Sequence, residues 1–208
     1  MYNVIVVDDQ NMSRQVFENY IENSDDYKLL YSLDNAETVD VYLAMYQVDV
    51  IIMDVVMTSG ISGLDAAKKI KKTYPQVKII IVTSMPEVSY IEKAKAYGVD
   101  SFWYKEVQGM DFMDVLDRTM KGESVYPDKA PVQEIGCAQS DDLTSTELLV
   151  LRELTTGASN QEISARLNIS VNTVRSHIQH MLEKTGFDNR TELAIQARVK
   201  GVVISDNR

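Results

Sequence analysis

This chain of 208 residues has one cysteine, two histidines and four prolines, and no long apolar run. A single thiol, Cys137, rules out an internal disulfide and suits a reducing compartment. The longest apolar candidate is interrupted by Asp49 and Asp54 and falls short of the roughly 18 residues that span a bilayer, so no membrane partner is expected. No basic leader region or cleavage site precedes the first strand pattern, which argues against secretion and for a cytoplasmic location. His177 and His180 lack carboxylate company and make a poor metal site. A basic tail is missing too. The net charge is −10, and residues 1–125 carry 12 basic against 20 acidic side chains, whereas residues 140–208 carry 8 against 9. Any contact with nucleic acid must therefore come from cations placed locally.

What the first half does have is short β-branched runs that end on polar residues. Val4-Ile5-Val6-Val7 runs into Asp8-Asp9, Val50-Ile51-Ile52-Met53 into Asp54, Ile79-Ile80-Ile81-Val82 into Thr83-Ser84, and Phe102-Trp103-Tyr104 into Lys105. A fifth run, Leu29 to Leu33, has no such ending. Nearly unbroken runs of this kind read as strands buried on both faces, the pattern of a parallel sheet covered by helices. Segments of helical spacing lie between them, at about Ser13–Asn23, Asn35–Tyr46, Leu64–Tyr74, Glu87–Tyr97 and Met110–Lys121. Five strand–helix alternations predict an α/β, flavodoxin-like (βα)5 sandwich of strand order 2-1-3-4-5 over residues 1–122.

From Glu123 to Ser140 the periodicity fails, and Pro127, Pro131 and Gly136 punctuate a stretch with linker composition. Residues 141–208 then read as an all-α domain of four short helices. Thr144 to Glu147, Ser159 to Glu162 and Asn189 to Glu192 each fit a capping box. Ser170 suits the cap of a helix beginning at Val171.

In 2-1-3-4-5 order the first and third strands are neighbours, so Asp8, Asp9 and Asp54 crowd together where ligands bind such sheets. Carboxylates that close repel, and one would have its pKa raised. Mg2+ relieves this, because it suits a site with few protein oxygens and several waters. Lys105 offers a compact charge to a phosphoryl oxygen, Thr83 can donate to another, and Asp54 is placed as the nucleophile for an acyl phosphate. Each residue taken alone is more often a turn former, a helix cap or a solvated lysine; the four together carry the reading.

These residues resemble the response-regulator receiver family over positions 1 to about 122. The resemblance implies Asp54 as phosphoacceptor, Asp8 and Asp9 as metal ligands with the Val56 carbonyl completing the shell, Thr83 as the switch hydroxyl, Phe102 as the switch aromatic and Lys105 as the phosphate-binding cation. It also implies a sensor histidine kinase as phosphoryl donor, Mg2+ dependence and slow self-dephosphorylation. Three features depart from the family pattern. Thr58 follows Met57 where relatives usually carry proline, and the stretch Thr58 to Gly63 is one residue longer than usual. Glu106 stands where a proline often follows the lysine, so no cis-proline is expected there.

In the second half, Ser159–Leu167, a turn at Asn168-Ile169-Ser170, and Val171–Thr185 have helix-turn-helix proportions. On the second helix Val171, Val174, Ile178, Met181 and Leu182 share the core face, while Asn172, Arg175, Ser176 and Gln179 fall on another. The latter are side chains that read base edges. A solvated face of a small interaction bundle has the same stripe. Gly157 to Ser164 and Ser170 to His177, in that order, resemble the LuxR-type DNA-binding domain. That resemblance implies Ser170–Thr185 as the recognition helix, with Arg175, Ser176 and Gln179 toward bases and Asn172, Thr173, His180 and Lys184 nearer the backbone. It implies a last helix, about Thr191–Lys200, that pairs two chains on inverted half-sites of double-stranded promoter DNA.

Together the halves resemble a two-component response regulator of the NarL/FixJ type, which implies a DNA-binding transcription regulator that forms a homodimer when Asp54 is phosphorylated, and not an enzyme beyond its own phosphoryl chemistry. One alternative is a receiver that is never phosphorylated and binds DNA regardless. Another is an aspartate-nucleophile phosphohydrolase, which normally wants a second Asp where Val56 stands.

Overall fold

The structure is a computed structural model and describes residues 1–87, 89–105 and 111–203. The chain divides into two compact units, with the main boundary in the chain after Lys129. Sequence expectations at Glu106 and Met110 lie outside the described residues.

The first unit is a five-stranded parallel sheet of order β2-β1-β3-β4-β5, built from β1 (Tyr2–Val7), β2 (Tyr27–Leu33), β3 (Val50–Asp54), β4 (Lys78–Thr83) and β5 (Ser101–Tyr104). All five residues of β3 are buried, as are the last four of β1 and the last five of β4, because helices cover both faces. Those helices are α1 (Asn11–Glu22), α2 (Val39–Met45), α3 (Gly63–Thr73), α4 (Ser89–Ala96) and α5 (Phe112–Met120). The second predicted helix is shorter than its spacing suggests. Asn35 accepts a hydrogen bond from the Glu37 N–H and opens a separate 3-10 turn, Ala36–Thr38, before α2 begins.

Residues 123–129 are not free of the sheet. Val125 is buried in the core beside Phe17, Phe112 and Leu116, and its carbonyl accepts from the Phe102 N–H at 2.8 Å. Tyr126 donates its hydroxyl to the Val99 carbonyl at 2.7 Å. The remainder of the predicted linker is also ordered. Glu134–Ile135 (β6) and Ala138–Gln139 (β7) form a two-stranded antiparallel hairpin, and Ile135 and Ala138 are buried in the core of the second unit.

That unit contains α6 (Ser145–Thr155), α7 (Asn160–Leu167), α8 (Val171–Thr185) and α9 (Arg190–Val199). Thr144 and Ser159 close complete capping boxes with Glu147 and Glu162. At α9 the cap differs in detail. Asn189 accepts from Thr191 and Glu192, but the Glu192 carboxylate reaches the Asp188 N–H rather than that of Asn189. Ser170 caps α8 by accepting from the Thr173 N–H at 3.0 Å. Val174, Ile178 and Met181 bury the inner face of α8 against Val150, Leu151 and Ile163. No helix of the described residues is long and apolar enough to cross a membrane.

Candidate functional site

The register of the sheet sets the site. Val7 pairs with Met53, Asp54 with Val82, and Thr83 with Tyr104. Asp8, Asp54, Thr83 and Lys105 therefore come one after another at the carboxyl edge of four adjacent strands. Asp8, Asp54 and Thr83 are buried, and Asp9 is half-buried.

Asp8 is held on every side. Its Oδ1 accepts from the Gln10 N–H at 2.9 Å, and its Oδ2 accepts from the Ser13 hydroxyl and from the Lys105 ammonium at 2.7 Å. Lys105 also lies 3.3 Å from Asp54 Oδ1, so one cation bridges two carboxylates. Its backbone is tied in too, the Lys105 N–H donating to the Thr83 carbonyl at 2.9 Å. Asp9 Oδ2 receives both the N–H and the hydroxyl of Thr58.

The Asp54 carboxyl is pushed up to about 7. Burial is the main cause. Lys105 pulls it down, the neighbouring Asp8 carboxylate pushes it up, and a hydrogen bond with the Val55 backbone lowers it further. Crowding of like charges, expected from the sequence, therefore contributes less than the loss of water.

One carboxylate oxygen from each of Asp8, Asp9 and Asp54 lies within 4.8 Å of the others. Lys105 pairs with Asp8 and Asp54, but three carboxylates lie in the cluster, an excess of negative charge that a hard divalent cation corrects with oxygen ligands. The residues fit Mg2+. Val56 is half-buried on the loop that leaves β3, beside this cluster in the chain. Phe102 is fully buried, its ring 5.0 Å from Tyr104 and 6.4 Å from Tyr126.

Three residues that serve this site were given no role there from the sequence. Ser13 looked only like the start of a helix, although its hydroxyl follows the acidic pair by one turn. Thr58 stood out as a departure from the family pattern without a role. Gly63 opens α3 so close to β3 that a Cβ on it would lie 1.8 Å from the Asp54 carbonyl oxygen. Only glycine fits there.

On α8 the structure exposes Asn172, Thr173, Arg175, Ser176, Gln179 and His180 together. Gln179 donates its amide to Glu183 at 2.9 Å. Lys184 is placed differently from the rest. Its ammonium donates to Glu147 Oε2 at 2.8 Å and to the Asp142 carbonyl at 3.0 Å, so a phosphate contact requires it to leave both.

Two family models match the chain. The response regulator receiver domain matches residues 4–117, more than half of the chain, and the bacterial regulatory proteins of the luxR family match residues 141–197. Among curated proteins, the response regulator protein VraR of Staphylococcus epidermidis is 30% identical over 201 residues, covering 93% of this chain and 95% of that protein. VraR of Staphylococcus aureus is 29% identical over 199 residues, with coverage of 93% and 95%. The fold resembles RcsB of Salmonella enterica serovar Typhimurium bound to promoter P1flhDC in the presence of the phosphomimetic BeF3-, with a TM-score of 0.64 at 20% identity over 96% of this chain and 98% of that one. A second RcsB–DNA complex has the same TM-score at 21% identity, covering 95% and 98%. With the acidic crevice on a 2-1-3-4-5 sheet and the capped helix-turn-helix beyond it, the chain belongs to the response regulators of the NarL/FixJ type, a receiver domain joined to a LuxR-type DNA-binding domain.

Proposed function

We propose that this regulator is switched by phosphorylation of Asp54, with residues 1–122 as receiver and 141–208 as DNA-binding domain, joined by residues 123–140, of which 123–129 pack with the first unit and 130–140 with the second. The observation that carries the reading is Lys105, which bridges buried Asp8 and Asp54 at the edge of four strands. A sensor histidine kinase presents a phosphohistidine. An Asp54 oxygen forms the new bond to phosphorus as the bond to the imidazole nitrogen breaks, and the imidazole keeps the electron pair and takes a proton. Ionised Asp54 is required, and burial works against it. Asp8, Asp9, Asp54 and the Val56 carbonyl would hold Mg2+, which when bound would supply positive charge favouring the ionised acceptor and offsetting the charge on the transferring group.

Lys105 then follows a phosphoryl oxygen, and Thr83 donates to another. Thr83 moving inward leaves room that Phe102 takes up, which shifts the population between two arrangements of the receiver surface. Two modified chains pair as a homodimer in the cytoplasm and set their α8 helices on inverted half-sites of promoter DNA. Arg175, Ser176 and Gln179 face base edges, and Asn172, Thr173 and His180 face the backbone, with Lys184 reaching it only on release from Glu147. The protein turns over nothing but its own acyl phosphate, slowly. Labelling by a small-molecule phosphodonor with Mg2+ tests the acceptor. Stoichiometric labelling that disappears in Asp54→Asn is expected, and undiminished labelling of that variant refutes the assignment.

A further inference from the structure

Thr58 makes two bonds to one atom. Its backbone N–H and its hydroxyl both donate to Oδ2 of Asp9, across 49 positions of chain. Thr58 itself is exposed, so burial does not force the contact. A carboxylate oxygen has about two lone-pair sites. With both engaged at Oδ2, the oxygen left to meet a cation is Oδ1, and Asp9 is held in one orientation to present it.

The same bonds fasten the loop between β3 and α3. At its far end the Gly63 N–H donates to the Val55 carbonyl at 3.0 Å, where the backbone passes too close to Asp54 for any side chain on Gly63. Val56 lies between Val55, held by Gly63, and Thr58, held by Asp9. Its carbonyl and the Asp9 carboxylate, two of the four donors assigned to Mg2+ above, are therefore positioned through one threonine.

We infer that Thr58 is a positioning residue for divalent-cation binding, tying the Asp9 carboxylate to the loop that carries Val56. This rests on the magnesium reading of the acidic crevice. Without Thr58, Asp9 and the loop have to be ordered when the cation binds, which lowers affinity. Residues that orient metal ligands in this way are typically worth 10–100-fold in affinity, and an exposed loop belongs at the low end, roughly tenfold.

The test is calorimetric titration of Mg2+ into the full-length chain and into Thr58→Pro, Thr58→Val, Thr58→Ser and Asp9→Asn, with urea unfolding of each as a check on folding. Proline removes both donors and is expected to weaken Mg2+ binding by roughly tenfold. Valine keeps the N–H and the shape, and is expected to fall between proline and the natural chain. Serine restores the hydroxyl and is expected to restore affinity, which a purely steric role for Thr58 would not require. Unchanged or tighter binding in the valine and proline variants, while the natural chain binds Mg2+ and Asp9→Asn does not, overturns the role of Thr58 and leaves the magnesium site standing. Failure of the natural chain itself to bind Mg2+ overturns both.

Discussion

The ammonium of Lys184 lies 2.8 Å from the buried Oε2 of Glu147, at the far end of the helix proposed to read DNA. Burial raises the Glu147 carboxyl, but bonds from Lys184 and from the Thr144 N–H and hydroxyl more than offset it and hold it below the usual carboxylate range. Lys184→Met would leave that charge without its cation. The expected loss is about 1–3 kcal/mol, less than for a fully buried pair because the lysine is partly solvated. Because the folded pKa is the lower one, the pair stabilises above the unfolded carboxyl pKa, and that contribution fades as pH falls through the folded value. Urea unfolding of Lys184→Met should therefore show lower stability at neutral pH and a flatter acid limb.

Asp54 has the opposite sign. Its folded pKa of about 7 lies above the unfolded value, so between roughly pH 4 and 7 the folded chain holds a proton that the unfolded chain has released. Stability in the absence of divalent cations should fall across that window by roughly 2–4 kcal/mol as pH rises. Mg2+ should restore it at pH above 7 and do little near pH 5. Asp54→Asn should remove both effects. A flat profile indifferent to Mg2+ in the natural chain would contradict the placement of the cation.

Gly63→Ala forces a methyl into the Asp54 carbonyl, which is backbone and has nowhere to go. A loss of about 2–4 kcal/mol is expected, together with reduced labelling at Asp54, because α3 must shift to admit the methyl. Full stability in urea would mean that α3 accommodates it at no cost.

Much of this was readable in the chain because the strands are buried on both faces. A run such as Val50 to Met53 has no polar interruption, and its end marks where the chemistry sits. The capping boxes at Thr144 and Ser159 were readable for a related reason, since each is complete within four residues. What escaped were contacts between distant positions. Nothing near Lys184 in the chain announces Glu147, 37 residues away, and nothing near Asp9 announces Thr58. The hairpin of β6 and β7 was hidden by its size, since two residues per strand are too few to show alternation. Its stability comes from burying Ile135 and Ala138 in a core supplied by other helices.

Arg175 is the most informative position on the exposed face of α8. Arg175→Ala should cost on the order of 1–3 kcal/mol in binding to the preferred operator and relax preference at one base pair. Selection of bound sequences from a random pool, run on both proteins, would show it. An unchanged sequence profile removes Arg175 from base reading and makes it a backbone contact.

Operator affinity, measured by fluorescence anisotropy with and without a small-molecule phosphodonor in the presence of Mg2+, joins the crevice to the helix in one readout. A rise in affinity with the donor in the natural chain, lost in Asp54→Asn and lost on chelating Mg2+, is the predicted result. Equal affinity with and without the donor, or the same rise in Asp54→Asn, would mean that modification of Asp54 does not control DNA binding.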